Sequence, residues 1–441
     1  MAGQTDTLRR SLSLTETTLA GIGIILGAGV YALVGAVADE AGNGLWLSFV
    51  FAAVVASIVG LCYAELASMF PKSSADYEYT LRAMGERPAF VVGWLMVIGN
   101  IIAAAAVALG FGGYLNTFFE VDATVAAIAA LAVATGVAFM GVDETIKVMV
   151  VGTLVEVAGL ILIIAIGIPH LGDVDLAQFD AGVWGVLGGA SLVMFAYLGF
   201  SEVATLAEET EDPTRTVPRA MVLAILITTI LYIMVAVAAV SVLGAAALTT
   251  SDAPLADVAK EVLGSRASQA VALIALFSTA NTMLLLLVAA SRMIYGMAST
   301  DALPRFLAWV HPGRRTPVRA IVLCLGLATA FALTGELAFA AGASNFAIFV
   351  AFEAVCLSLI VLRYRQPDLP RPFRLPLTWK RLPLLPVIGL LLVALQMGNL
   401  SRDVLALGAG LFASGVVAME VLSLWRPESR HSDREAGGNS P

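Results

Sequence analysis

Long apolar runs recur along nearly the whole chain, and they limit what it can fold into more than any other feature does. Twelve of them fall at about 15–38, 45–70, 88–117, 122–140, 145–167, 182–207, 219–243, 268–297, 318–337, 342–362, 382–400 and 403–424. As helix, a run of this length crosses roughly 30 Å of hydrocarbon. Lipid offers no partner to a free amide or carbonyl, so each run has to satisfy its own backbone, which a helix does. Only 13% of the 441 residues are charged, against about 25% in an ordinary globular domain. The hydrophobic share is 59% and mean hydropathy is +0.90. An all-α membrane protein with twelve transmembrane helices is expected.

The first 14 residues are polar, and no small-residue cleavage pattern follows a short apolar core, so the first run is expected to stay as an uncleaved anchor. With both termini in the cytoplasm, every lysine and arginine except Lys260, Arg266 and Arg402 falls on the cytoplasmic side, as the positive-inside rule asks. Residues 1–14 then form a cytoplasmic segment, and 425–441, polar and rich in Ser, Gly and charge, a disordered cytoplasmic tail. A multi-pass protein of the cell membrane is expected. Cys62, Cys324 and Cys356 stand singly, His170, His311 and His431 lie in loops or the tail, and no Walker-type phosphate loop is present. No cofactor, metal or nucleic-acid partner is expected, and no cluster of nucleophiles and bases suggests an enzyme.

Two runs carry glycine where a membrane helix should be continuous. The first reads GIGIILGAGVYALVG from Gly21 to Gly35, and the sixth holds Tyr197-Leu198-Gly199-Phe200-Ser201 near its middle. Each begins a set of five runs. Glycine-interrupted spans at corresponding places in two halves point to a transporter with inverted repeats that binds its substrate where both helices unwind. Spacing alone leaves a second reading open, since Gly23 and Gly27 are also placed for close helix packing.

The same stretches carry a family resemblance. GIGIILGAGVYALVG resembles the first helix of amino acid permeases of the amino acid-polyamine-organocation (APC) superfamily. FAYLGFSEVATLAEETEDPTRTVPRAM, Phe195 to Met221, resembles their sixth helix and following loop, with Glu208, Glu209, Pro213, Arg215, Pro218 and Arg219 in place. ASRMIYGMASTDALP and RPFRLP resemble the end of the eighth helix and the loop before the eleventh. The resemblance implies a LeuT-type fold, with helices 1–5 at 15–167 and helices 6–10 at 182–362 as inverted repeats, helices 1 and 6 discontinuous, and helices 11 and 12 added at 382–424. Two departures stand out: Ser201, followed by Glu202, replaces an acid directly after Gly-Phe, and Ser74 and Ala75 replace two glycines after the second run. A stiffer loop is expected there.

An unwound helix exposes amides where its second half starts and carbonyls where its first half ends. With Gly27 and Gly199 opening the two backbones, the amides of Ala28, Gly29 and Val30 are placed for a substrate carboxylate. The carbonyls of Ile25, Phe195, Ala196 and Leu198 are placed for its ammonium, and the resemblance implies the same arrangement. Phe195, Tyr197 or Phe200 either covers the substrate side chain or packs between helices. Asn100 either faces that side chain or bridges helices.

Glu156 lies near the centre of the fifth run, where an ionised carboxylate costs at least about 2.5 kcal/mol. Proton-coupled relatives have lysine at the matching position. Glu156 either exchanges a proton, helps hold sodium with carbonyls of the first helix and the hydroxyls of Ser278, Thr279 or Thr282, or makes a neutral interhelical hydrogen bond. Glu353 and Glu420 are intramembrane acids without an assigned role, and Glu420, outside the ten-helix core, is expected to be structural. The function implied is secondary amino acid transport by alternating access, as proton symport or exchange. Antiport of cationic amino acids or polyamines and sodium-coupled symport are alternatives, and a sensor or channel is a remote one. The acidic balance favours cationic or neutral substrates.

Overall fold

A computed structural model of the chain describes residues 12–71, 75–140, 146–178, 181–208, 210–299 and 302–425. The expected disordered tail from Arg426, the N-terminal segment up to Ser11, and Lys72, Ser74 and Glu209 lie outside the described residues. Helix covers the described part of every apolar run, and one small hairpin is the sheet content found among the described residues.

The first run forms two helices, α1 (Leu14–Leu26) and α2 (Gly29–Ala41). A capping box starts α1: the Ser13 Oγ accepts from the Glu16 amide, and the Ser13 amide donates to Glu16 Oε2 at 2.9 Å. Then come α3 (Leu45–Met69), α4 (Ala75–Met84), α5 (Glu86–Leu115), α6 (Ala123–Met140) and α7 (Ile146–Gly167). The sixth run forms α8 (Gly182–Tyr197) and the four-residue α9 (Gly199–Glu202), followed by a 3-10 helix at Val203–Glu208. Beyond it lie α10 (Pro213–Thr249), α11 (Pro254–Leu263), α12 (Ser265–Ser299), α13 (Val318–Ala332), α14 (Leu337–Arg365), α15 (Leu384–Gly398) and α16 (Arg402–Trp425). The strands β1 (Thr378–Trp379) and β2 (Leu382–Pro383) pair antiparallel before α15.

Among the described residues, nine helical stretches are long and apolar enough to cross a membrane. Three of the twelve runs give shorter helices: α1 is cut at Gly27, and α13 and α15 each have 15 residues, which reach only about 22 Å. The helix α10 bends at Gly244, whose φ of 72° favours glycine, and the Asn43 side chain accepts from the Ala245 amide just beyond the bend.

Burial sorts the helices by position. Most residues of α5 are buried, and α12, α14, α6 and α13 pack around it. Large apolar side chains point outward elsewhere, among them Val133 and Met140 on α6, Leu226 and Ile230 on α10, Val322 on α13 and Val417 on α16. A surface so rich in exposed aliphatic side chains suits lipid rather than water. The chain is a multi-pass membrane protein.

Candidate functional site

The two interrupted runs meet backbone to backbone. At Gly29 an added Cβ would strike the Cα of Ala196 and lie 2.7 Å from its Cβ. At Gly199 it would strike the Ile24 carbonyl oxygen and lie 2.7 Å from the Ile25 nitrogen. Each glycine thus lets its own helix approach the main chain of the other.

The two interruptions differ in kind. In the first, α1 ends at Leu26, Gly27 leaves helical geometry with ψ of −156°, and α2 restarts at Gly29. The Ala28 amide donates to Thr282 Oγ1 at 3.1 Å, while Gly29 and Val30 open α2 with amides that lack intrahelical acceptors by position. In the sixth run Leu198 keeps helical angles (φ −50°, ψ −32°) and donates to the Phe195 carbonyl at 3.4 Å. That helix tightens toward 3-10 geometry instead of unwinding, because Ser201 Oγ and the Leu198 amide take up the carbonyls the interruption would free.

Each of the four carbonyls expected to receive an ammonium group lies within reach of a donor. Leu198 accepts from Ser201 Oγ at 3.1 Å, and Phe195 from the Leu198 amide. The Tyr232 hydroxyl, from α10, lies 2.6 Å from the Ile25 carbonyl oxygen, 3.2 Å from that of Ala196 and 3.3 Å from that of Leu26. Tyr232 is fully buried and meets Tyr197 edge-on, with ring centroids 5.3 Å apart. The sequence reading missed it, although a tyrosine in mid-run signals a hydroxyl in need of a partner.

The residues expected to take part in coupling gather beside the same break. Thr282 touches it through Ala28, and Glu156, on α7, is 3% exposed and faces Ser278 on α12. By distance and angle the Ser278 hydroxyl has no hydrogen-bond partner among the described residues, although it faces Glu156. Thr279 instead donates to the Ala275 carbonyl of its own helix at 2.7 Å. Two neighbours escaped the sequence reading. The Tyr31 hydroxyl donates to the Glu156 carbonyl at 3.1 Å, and Thr153, one helical turn before Glu156, presses on Gly23.

The other candidates lie in different contacts. Asn100 directs Nδ2 at the Met293 sulfur across α5 and α12, 3.8 Å away. Phe200 packs with Tyr63 and Phe352, and the Tyr197 hydroxyl contacts Thr229 Oγ1 at 3.4 Å. The Tyr63 hydroxyl donates to Asp76 on α4, and Asp76 lies within electrostatic reach of Glu202. Glu420 forms an exposed pair with Arg87 at 3.9 Å. Ala75 begins α4, so a helix follows closely where a stiff loop was expected.

Residues 12–419 match the family model described as amino acid permease. The chain belongs to the amino acid permease family. This permease is 33% identical over 419 residues to an uncharacterized transporter of Mycobacterium tuberculosis, covering 93% of the chain and 92% of the relative. It is 30% identical over 418 residues to a branched-chain amino acid permease of Bacillus subtilis, covering 89% and 88%. A methylthioribose transporter of the same organism is 30% identical over 407 residues, covering 88% and 87%. The permease is similar to proteins named for transport, not for catalysis.

Proposed function

We propose that this permease carries neutral amino acids across the cell membrane by alternating access, as a proton symporter or an exchanger. The observation that carries the proposal is the meeting of the two interrupted spans, Gly29 against Ala196 and Gly199 against Ile24. In the proposed arrangement the chain has twelve spans and cytoplasmic termini. Residues 15–167 and 182–362 form inverted repeats, with 382–424 added. Substrate binds between the repeats.

The α-carboxylate of a substrate binds the amides of Gly29 and Val30 at the positive end of α2. Its ammonium shares the Ile25, Phe195, Ala196 and Leu198 carbonyls, each of which has a second lone pair beyond its present donor. Rocking one repeat against the other exposes the site to each side in turn. Glu156 is the coupling group in this proposal, since a carboxylate surrounded by helices changes its charge at a cost the substrate's binding can offset. A neutral side chain is favoured because one relative is named a branched-chain amino acid permease.

Uptake into proteoliposomes tests the proposal. Labelled leucine, isoleucine or valine should accumulate under an inward proton gradient or exchange against the unlabelled amino acid. Indifference to every amino acid in both formats overturns the proposal, and accumulation of methylthioribose alone moves the substrate outside the amino acids.

A further inference from the structure

A strongly cationic cavity lies far along the chain from the interrupted spans, where α14 runs into the hairpin before α15. Its volume is about 340 Å³, and it is lined by Arg363, Pro367, Leu369, Arg371, Arg374, Lys380 and Arg381. Every charged group in that lining is positive. One carboxylate, the buried Glu65 of α3, stands behind it. Glu65 accepts from Arg363 Nε at 3.0 Å and Nη2 at 2.6 Å, from the Leu375 amide at 2.7 Å, and faces Arg371 Nε at 3.3 Å.

The lining carries five cations against the buried Glu65 and the exposed Asp368, which stands between Pro367 and Leu369 in the chain, so most of the positive charge is left unanswered. Burial lowers the Arg371 pKa; Glu65 opposes this, and the neighbouring Arg363 and Arg374 lower it further. Arg371 already spends its Nη atoms on the carbonyls of Leu362, Gln366, Pro367 and Leu369 and so folds the loop. Arg363 is 4% exposed, and its third nitrogen, Nη1, is buried with no hydrogen-bond partner among the described residues. A buried guanidinium nitrogen without an acceptor is expensive, and an anion entering the cavity would supply one. Arg374, Lys380 and Arg381 are exposed around the same opening.

Residues next to the lining in the chain identify the surroundings of the site. Tyr364, which follows Arg363, is 51% exposed, and Leu377 and Trp379, just before Lys380, are 62% and 67% exposed. Aromatic side chains left open beside clustered cations are typical of the headgroup level of a bilayer, where the ring suits the acyl boundary and the charge suits phosphate. We infer that the cavity binds the phosphate of an anionic phospholipid headgroup, held by Arg363, Arg374, Lys380 and Arg381. The bound lipid fastens the loop between α14 and α15 to the Glu65 end of α3.

The test uses the full chain in detergent. Its apparent melting temperature and its bound lipid, counted by native mass spectrometry, are measured with added phosphatidylglycerol, with phosphatidylcholine, and with inorganic phosphate. Phosphatidylglycerol should bind and raise the melting temperature, and the other two should not at equal concentration. The Arg374→Gln, Lys380→Gln, Arg381→Gln triple variant should bind phosphatidylglycerol at least about tenfold more weakly, while Lys260→Gln, Arg266→Gln should bind it normally. Equal binding of phosphatidylcholine, or full binding by the triple variant, overturns the site. An equal effect of inorganic phosphate overturns the lipid as its ligand. If the triple variant fails to fold, Arg374→Gln alone is read by the same lipid count, and unchanged binding overturns the proposal.

Discussion

Gly29 and Ala196, 167 positions apart, are so close that a Cβ on the first would lie 2.7 Å from the Cβ of the second. At Gly199 the same addition would meet backbone of Ile24 and Ile25. Main chain has little room to yield inside a packed core.

Gly29→Ala and Gly199→Ala should therefore lower the apparent melting temperature sharply, with costs on the order of 1–3 kcal/mol or more from overpacking. Gly27→Ala should cost less, about one hydrogen bond, because its Cβ meets the Thr282 Oγ1 at 2.9 Å, and that hydroxyl can turn away by releasing the Ala28 amide. Thermal unfolding of the three purified variants checks the ranking. A Gly29→Ala protein as stable as wild type would show that the two spans do not pack as described.

Tyr232→Phe keeps the ring and its edge contact with Tyr197 but removes the donor shared by the Ile25 and Ala196 carbonyls. Leaving buried acceptors unpaired costs about 1–3 kcal/mol, so the variant should unfold several degrees earlier. Substrate protection should also change, because the expected ammonium acceptors lose the group that holds them. Thermal shift with and without leucine separates the two effects.

Glu65 and Arg363 form a buried two-pronged pair, with side-chain exposures of 0% and 4%. Glu65→Gln should destabilise by about 3–5 kcal/mol, since it strands the buried Arg363 charge, and Arg363→Gln by less, because Glu65 keeps Arg371 and the Leu375 amide. The double variant should cost less than the two single effects added together. Yield and melting temperature of all four proteins complete that cycle.

Asp76 gives a pH prediction. Burial raises its carboxyl, and the hydrogen bond from Tyr63 opposes that only in part. For an acid with a raised folded pKa, the unfolded chain loses its proton first, so stability falls as pH rises from the ordinary carboxylate range through the folded value. Asp76→Asn, which still accepts from Tyr63, should flatten this decline. The variant's melting temperature should gain on wild type as pH rises above the ordinary aspartate value of about 3.9; a parallel pH profile would exclude Asp76 as the cause.

Glu156→Gln tests coupling. Binding of amino acid, read by thermal shift, should persist, whereas uptake should lose its response to an imposed pH gradient. Gradient-driven accumulation by the variant would remove Glu156 from the coupling proposal.

Runs of apolar residues made most of the helices legible, since a bilayer fixes both their length and their backbone hydrogen bonding. The Gly27 break was legible because glycine concentrates where the chain leaves helical geometry. The sixth span was half legible: Gly199 marked the place and Ser201 stood out as a departure, but nothing in the sequence said that its hydroxyl would cap the Leu198 carbonyl. Tyr232 was not, because its importance rests on acceptors 207 and 36 positions away. The helices α4 and α11 fell between the spans as well, being too short and too polar for a search keyed to bilayer thickness.

A phenol hydroxyl has one proton to give. At Tyr232 three carbonyl oxygens, those of Ile25, Leu26 and Ala196, stand within 3.3 Å of it. The first and sixth spans therefore compete for a single donor, and a small slide of one past the other changes which oxygen is served without leaving the hydroxyl unbonded. Such a joint is tight in any one position and cheap to reset, which is what the proposed rocking of one repeat against the other would ask of it.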